Sequence, residues 1–317
     1  MTEIPPQWRP TPHLNKIAAA LRNPKADADD RSLLAEIREA YDAWIASLEE
    51  VRVGETPRDR VLRHAEILNS YKYFVEVECI ARRGSAWLKR QKGQLKLDNT
   101  IIEEFLTHLV HPATLPGFAR LNELVVGPNQ AFMSMSFSAD SLTSLLDAPQ
   151  VVVKSKDQDF TIGAELHYAI STRPDLSEAQ RGRFVLAVLA AECKVNLDKT
   201  MFQEAAGTAT RLKSGCPVAK YFLVAEFLDM TPEDPRLTDI DNVFLLRGVR
   251  RLSPGLRGDP EAVADCHRSN PIRGDVLWRF VQEMQATLMP SGSTRGLSWT
   301  EGRSSSPAVG DHRRWMA

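Results

Sequence analysis

Apolar residues in the first third of the chain recur at helical spacing. Leu33, Leu34, Ile37, Ala40, Trp44 and Leu48 fall near one face with charged residues between them, so the region to about Val110 is expected to be mostly helical. A further helix is expected from Asp98. Asp98 or Asn99 can cap its free amides, and Ile101, Ile102, Phe105, Leu106 and Leu109 form an apolar stripe. Glu103 and Glu104 lie in its first turns, where the helix dipole favours negative charge.

From Val151 the pattern changes. VVVKSKDQDFTIG and ELHYAIST read as extended segments, the second alternating Leu166, Tyr168 and Ile170 on one side. RPDLSEAQRG reads as a loop or short helix. FVLAVLAAECKV is an apolar run that turns polar only at its end, as in a strand buried on both faces. Its Ala and Leu content also suits a buried helix, and periodicity does not separate the two. After it, Asp198 can cap a helix with Met201, Phe202, Ala205, Ala206, Ala209 and Leu212 on its apolar face, ended by Gly215 and Pro217. AKYFLVAEFL follows as another apolar strand, and strand, helix, strand in this order predict a crossover between parallel strands. NVFLLRG is expected to be a last short strand. The Ser- and Gly-rich tail from Pro290 is expected to be poorly ordered.

The 317 residues are 43% hydrophobic and 26% charged, an ordinary globular composition. A formal net charge of -1 supplies no bulk field for a polyanion, so any nucleic-acid contact must come from local arrangement. One local concentration exists: Arg82, Arg83, Lys89, Arg90 and Lys92 surround Trp87, which suits either a phosphate backbone or a solvated face. Cys79, Cys193, Cys216 and Cys266 show no zinc-site spacing and read as reduced thiols. MTEIPPQWRP carries no export signal, and the run from Phe184 to Ala191 is too short to span a membrane, so a cytoplasmic protein is expected.

Glu192-Cys193-Lys194 is the chain's one acidic-x-Lys triplet. On a strand, residues two apart share a face, so Glu192 and Lys194 project together and Cys193 turns away. The carboxylate can hold a hard cation, and the ammonium can orient a water and offset charge on a phosphate. A strand-end ion pair has the same residues, and on a helix the two side chains diverge. Phosphodiester hydrolysis needs a further acid. The candidates, in order of preference, are Asp159, at the start of a strand that can run antiparallel to the one with Glu192, then Asp157, then Asp175, which follows Pro174.

AECKVNLDKTMFQEAAGTATRLK, with KDQDF upstream and FLDMTPEDPRLTDID downstream, resembles the Bpu10I family of type II restriction endonucleases over roughly residues 150 to 252. LDNTIIEEFL is similar to a helix that many restriction enzymes place before the nuclease core. The resemblance implies an α/β (α+β) fold of the PD-(D/E)XK kind, a mixed sheet flanked by helices, that cuts duplex DNA with magnesium. Carried across, Glu192 and Lys194 are the motif's second acid and lysine, and Asp159 is the preferred first acid, with Asp159 and Glu192 as metal ligands. Gln203 and Glu104 are candidate supporting residues.

The expected organisation is a helical region over 1–97 with DNA or subunit contacts, a nuclease core over 98–289 and the tail over 290–317. The family also resembles systems with two different subunits, so the expected partners are duplex DNA and either a second, non-identical subunit or another copy. The other reading is a catalytically silent DNA-binding or assembly subunit that keeps the fold.

Overall fold

Five strands form one sheet in the order β1-β2-β3-β4-β5, and its two faces carry different helical layers. The computed structural model describes residues 9–89, 97–118, 120–147 and 150–289. The expected tail therefore lies outside the described residues, as do Arg90 and Lys92.

The strands are β1 (Val125–Ser138), β2 (Gln150–Ile170), β3 (Gln180–Leu197), β4 (Lys220–Leu228) and β5 (Asn242–Leu245). β2 runs antiparallel to both β1 and β3, whereas β3, β4 and β5 are mutually parallel, which makes the sheet mixed. The apolar run ending in Glu192-Cys193-Lys194 is thus a strand, and VVVKSKDQDFTIG and ELHYAIST are two halves of one. β2 changes partners along its length: its first half pairs with β1 and its second half with β3. A further bridge between Ala131 and Val185 joins β1 to β3, so the three long strands curl round one another. RPDLSEAQRG forms the turn between β2 and β3 rather than a helix.

The helices are α1 (Pro12–Leu21), α2 (Ala28–Glu49), α3 (Pro57–Lys72), α4 (Ala86–Lys89), α5 (Asn99–His108), α6 (Leu142–Asp147), α7 (Lys199–Gly215), α8 (Pro260–Ser269) and α9 (Gly274–Leu288). Local chemistry fixes several starts. Asp27 accepts from Asp30 N at the head of α2, Thr56 and Asp59 form a capping box behind Pro57 on α3, and Asp198 accepts from Met201 N on α7. The expected cap on α5 does not form: Asp98 makes no side-chain cap bond and is buried near the charge of Lys72. α3 runs straight on into a π-helical stretch, Tyr73–Arg83, with Val75, Val77 and Cys79 buried. Gly215 ends α7 for a steric reason, since a Cβ there would lie 2.6 Å from the Met133 carbonyl oxygen of β1.

Strand alternation divides the core. On β4, Tyr221, Leu223 and Ala225 face α7, while Phe222 and Val224 face a larger layer built from α1, α2, α3, α5 and α9. Phe280 of α9 centres that layer, with its ring 6.1, 5.9 and 5.3 Å from Phe160, Phe222 and Phe244. One buried cluster runs from Ile17 to Met284, so the N-terminal helices share a core with the sheet.

A charged network is sealed inside this layer. Lys72, fully buried, lies 2.7 Å from Glu226 of β4 and also pairs with Glu76; Arg247 meets Glu226 at 2.9 Å, and His267 of α8 meets Glu76 at 3.0 Å. Burial opposes the Lys72 charge, but Glu226 and Glu76 outweigh it and hold the ammonium above the usual lysine range. Two buried cations, Lys72 and Arg247, share Glu226. Glu226→Gln therefore leaves excess buried positive charge and is expected to cost about 3–5 kcal/mol, read as a lower urea midpoint at unchanged slope.

Candidate active site

The β2–β3 ladder stops at Phe160 opposite Ala191, so Asp159 and Glu192 are the next residue on each strand where the two part company. From there β2 pairs with β1, and β3 continues only with β4. Parting strands leave room for side chains and free backbone amides for them. The Cys193 N–H donates to Asp159 Oδ2 at 2.8 Å. Cys193 itself is buried in the larger helical layer, so Glu192 and Lys194 project together from the face that carries α7.

Lys194 Nζ lies 2.7 Å from Glu192 Oε1 and 4.0 Å from Asp159 Oδ2. Burial disfavours its charge, yet Glu192 and Asp159 together raise its pKa. Burial raises the Asp159 pKa, against the pull of Lys194 and the Cys193 amide. The Tyr221 hydroxyl donates to Glu192 Oε2 at 2.8 Å, which holds both oxygens of that carboxylate. Tyr221 is itself pushed above the usual phenol range by burial and by Glu192. It is a residue the sequence reading missed. Its one signal was a polar tip in the otherwise apolar row Tyr221, Leu223, Ala225.

Beside Asp159 opens a cleft of about 430 Å³, lined by Glu103, Asn129, Gln130, Asp157, Gln158 and Asp159. Asp157 is exposed on its wall, opposite Gln130. Asp175 sits far off, on the turn beyond Ile170 and Gln180, where it accepts from Ser177. The intervening ladder spans on the order of 30 Å of strand. Of the three acids, Asp159 alone is within 4.0 Å of Lys194.

The carboxylate that α5 brings here is Glu103, and Glu104 is turned away. Glu104 is buried among the N-terminal helices, accepting from His13 N at 2.8 Å, from Leu14 N at 3.4 Å and from the Tyr41 hydroxyl. Neighbouring residues on a helix point about 100° apart, so one faces the sheet's active edge and the other the head of α1. Burial, then the charge of Asp159, pushes Glu103 up to about 8. Gln203 is exposed on α7 and hydrogen-bonds to none of these groups. Arg82 and Arg83 are committed elsewhere, to Glu78 and Glu261 and to Glu36, so ion pairs occupy them rather than a free phosphate-binding face. Lys89 is exposed.

The geometry suits a hard divalent cation such as magnesium. Among the described residues no group of three or more metal-ligating side chains exists, and Asp159 and Glu192 are the two carboxylates beside Lys194 that could hold an ion. Magnesium keeps several waters and needs only one or two carboxylates, which matches that set.

A model of the Bpu10I restriction endonuclease matches residues 94–296. The chain belongs to that family. Restriction endonucleases are nucleases, so the cleft beside Asp159 and Glu192 lies on a DNA-cutting fold. Among solved structures the chain is similar to the native BbvCI A2B2 tetramer, with a TM-score of 0.63 and 20% identity over 87% of this chain and 95% of that one. At that identity the likeness shows the fold. No curated protein matches the chain. Among the described residues no helix is long and apolar enough to cross a membrane.

The two neighbouring glutamates give opposite expectations for stability. Folding raises the pKa of Glu103 from its ordinary 4.5 to about 8, so its carboxylate disfavours the fold increasingly as pH rises through that window. Glu103→Gln in metal-free buffer should therefore melt higher than the native chain at pH 8 and above, by on the order of 1 kcal/mol, with no gain below about pH 4. Glu104→Gln should melt lower, by about 1–3 kcal/mol, because an amide cannot satisfy the same three donors. Thermal melts of both variants across pH check the placement.

Proposed function

We propose that the chain is a type II restriction endonuclease, or one subunit of such an enzyme, that hydrolyses phosphodiester bonds of duplex DNA at a specific sequence with magnesium. The observation that carries this reading is Lys194 lying within 4.0 Å of both Glu192 and Asp159, with Asp159 on an open cleft, in a chain of a restriction endonuclease family. The arrangement is that of a PD-(D/E)XK site.

Asp159 and Glu192 are the residues that would hold magnesium. When bound there, the ion supplies positive charge to the reacting phosphate and makes water a better nucleophile. Lys194 directs its ammonium at the attacking water and at the phosphate oxygens, where negative charge grows in the transition state. Tyr221 fixes the orientation of Glu192, and the Cys193 amide does the same for Asp159. Glu103 sits on the cleft wall as a further acid whose proton the Asp159 charge favours.

The A2B2 composition of the structural neighbour supports assembly with a second, non-identical subunit; a pair of identical copies is the other arrangement. The four cysteines are free, in keeping with the cytoplasm.

The full chain, with its partner subunit where one is required, should cut duplex DNA with magnesium or manganese and not in excess chelator. Lys194→Ala should lose at least about a hundredfold in cleavage rate with nearly unchanged DNA affinity at fixed salt. Glu192→Ala should lose cleavage together with metal affinity. A strand-end ion pair predicts normal cutting by both variants and at most roughly 1 kcal/mol lost in stability. Normal cutting by Lys194→Ala, or cutting undiminished in chelator, contradicts the proposal.

A further inference from the structure

A second cleft has a volume of about 750 Å³. Val195 lines it, and Val195 follows Lys194 on β3, so it opens on the other face of that strand. α5 borders both clefts, with Asp98 at its head in the second and Glu103 in the first. Asp98 and Glu103 are five residues apart, about 8 Å along the helix. The π-helical stretch supplies Ile80, and the loop after β5 supplies Leu252, to walls that are largely apolar.

Three cations line this cleft: Lys89, Arg251 and Arg257. Among the described residues, none of their side chains has an ion-pair or hydrogen-bond partner. That sets them apart from Arg82, Arg83 and Arg247, all engaged with carboxylates. Arg251 is half-buried, and Arg257 beside it adds like-charge repulsion to the cost of its burial. The charges of Asp98, Glu76 and Asp229 offset that cost only in part. Glu76 is held by Lys72 and His267, and Asp98 is buried at 4% exposure. A half-buried guanidinium with no ion-pair contact carries a desolvation cost that is only partly offset, and a planar fork of donors suits a phosphate.

We propose that Arg251 and Arg257, with Lys89, anchor backbone phosphates of the substrate strand beyond the one that is cut. The proposal rests on the nuclease reading. It makes the loop after β5 a positioning element, which fixes where the strand lies relative to Asp159 and Glu192 without reading its sequence.

The test is binding of the full chain to a labelled duplex in chelator over a series of salt concentrations. Each cation that neutralises a phosphate contributes about 0.9 to the slope of log affinity against log salt, so Arg251→Ala/Arg257→Ala should flatten it by nearly two, equally for any duplex sequence. Arg251→Lys/Arg257→Lys should keep the slope, since it keeps the charge. Arg257→Ala alone, at an exposed side chain, should flatten it by about one and keeps the test open if Arg251→Ala fails to fold. An unchanged slope in a folded Arg257→Ala or double-alanine variant overturns the proposal. A free mononucleotide is the other source of the same phosphate chemistry. If adenosine monophosphate raises the melting temperature in an arginine-dependent way while the DNA slope stays unchanged, the strand assignment is wrong. The nuclease reading is scored by the cleavage rate of Lys194→Ala, and this proposal by the change in salt slope of the arginine variants in chelator, so the two fail separately.

Discussion

Asp159 and Glu192 can stand side by side because the Lys194 ammonium stands between them, 4.0 Å from one and 2.7 Å from the other. Without it, two partly buried carboxylates would repel each other at close range. The arrangement depends on β2 and β3 parting where they do. While strands pair, each residue's backbone groups are consumed by the ladder; once they part, the Cys193 amide is free to hold Asp159. Asp159 also borders the cleft that β1, β2 and Glu103 of α5 enclose.

The rest of the fold keeps that geometry in place. β3 is held by β2 up to Ala191 and by β4 through Lys194 and beyond, and β4 is buried throughout its centre, so Glu192 and Lys194 project from a strand with little freedom to shift. Tyr221 reaches from β4 to the free side of Glu192. On the opposite face, the sealed network of Lys72, Glu76, Glu226, Arg247 and His267 ties α3, β4 and α8 together. Such a network adds little net stability compared with an apolar core, but it tolerates few alternative registers.

Much of the sheet was legible in the sequence. The run ending in Glu192-Cys193-Lys194 announced a buried strand, and Asp198 with the apolar face behind it announced α7, because length, capping and periodicity agreed. β1 was not legible: Gly127 and Pro128 interrupt its alternation, and bulges shift its register. α8 and α9 passed unread despite Phe280, whose importance lies in three aromatic partners far away in sequence. At the site, spacing placed Glu192 and Lys194 on one face and favoured Asp159. It named Glu104 as the supporting acid where the fold brings Glu103, since a rotation of one residue about α5 decides which meets Asp159 and which meets Tyr41. Nor could it find Tyr221 or Arg251, which matter through neighbours that only the folded chain supplies.

The central claim is that Asp159 and Glu192 form one metal site with Lys194 beside it. Crystals of the full chain soaked with manganese, with data collected at the manganese absorption edge, test it most directly. The account predicts an anomalous peak within coordination distance of both carboxylates, absent from Glu192→Ala crystals soaked in the same way. A peak elsewhere in the molecule, with none between Asp159 and Glu192, would contradict it.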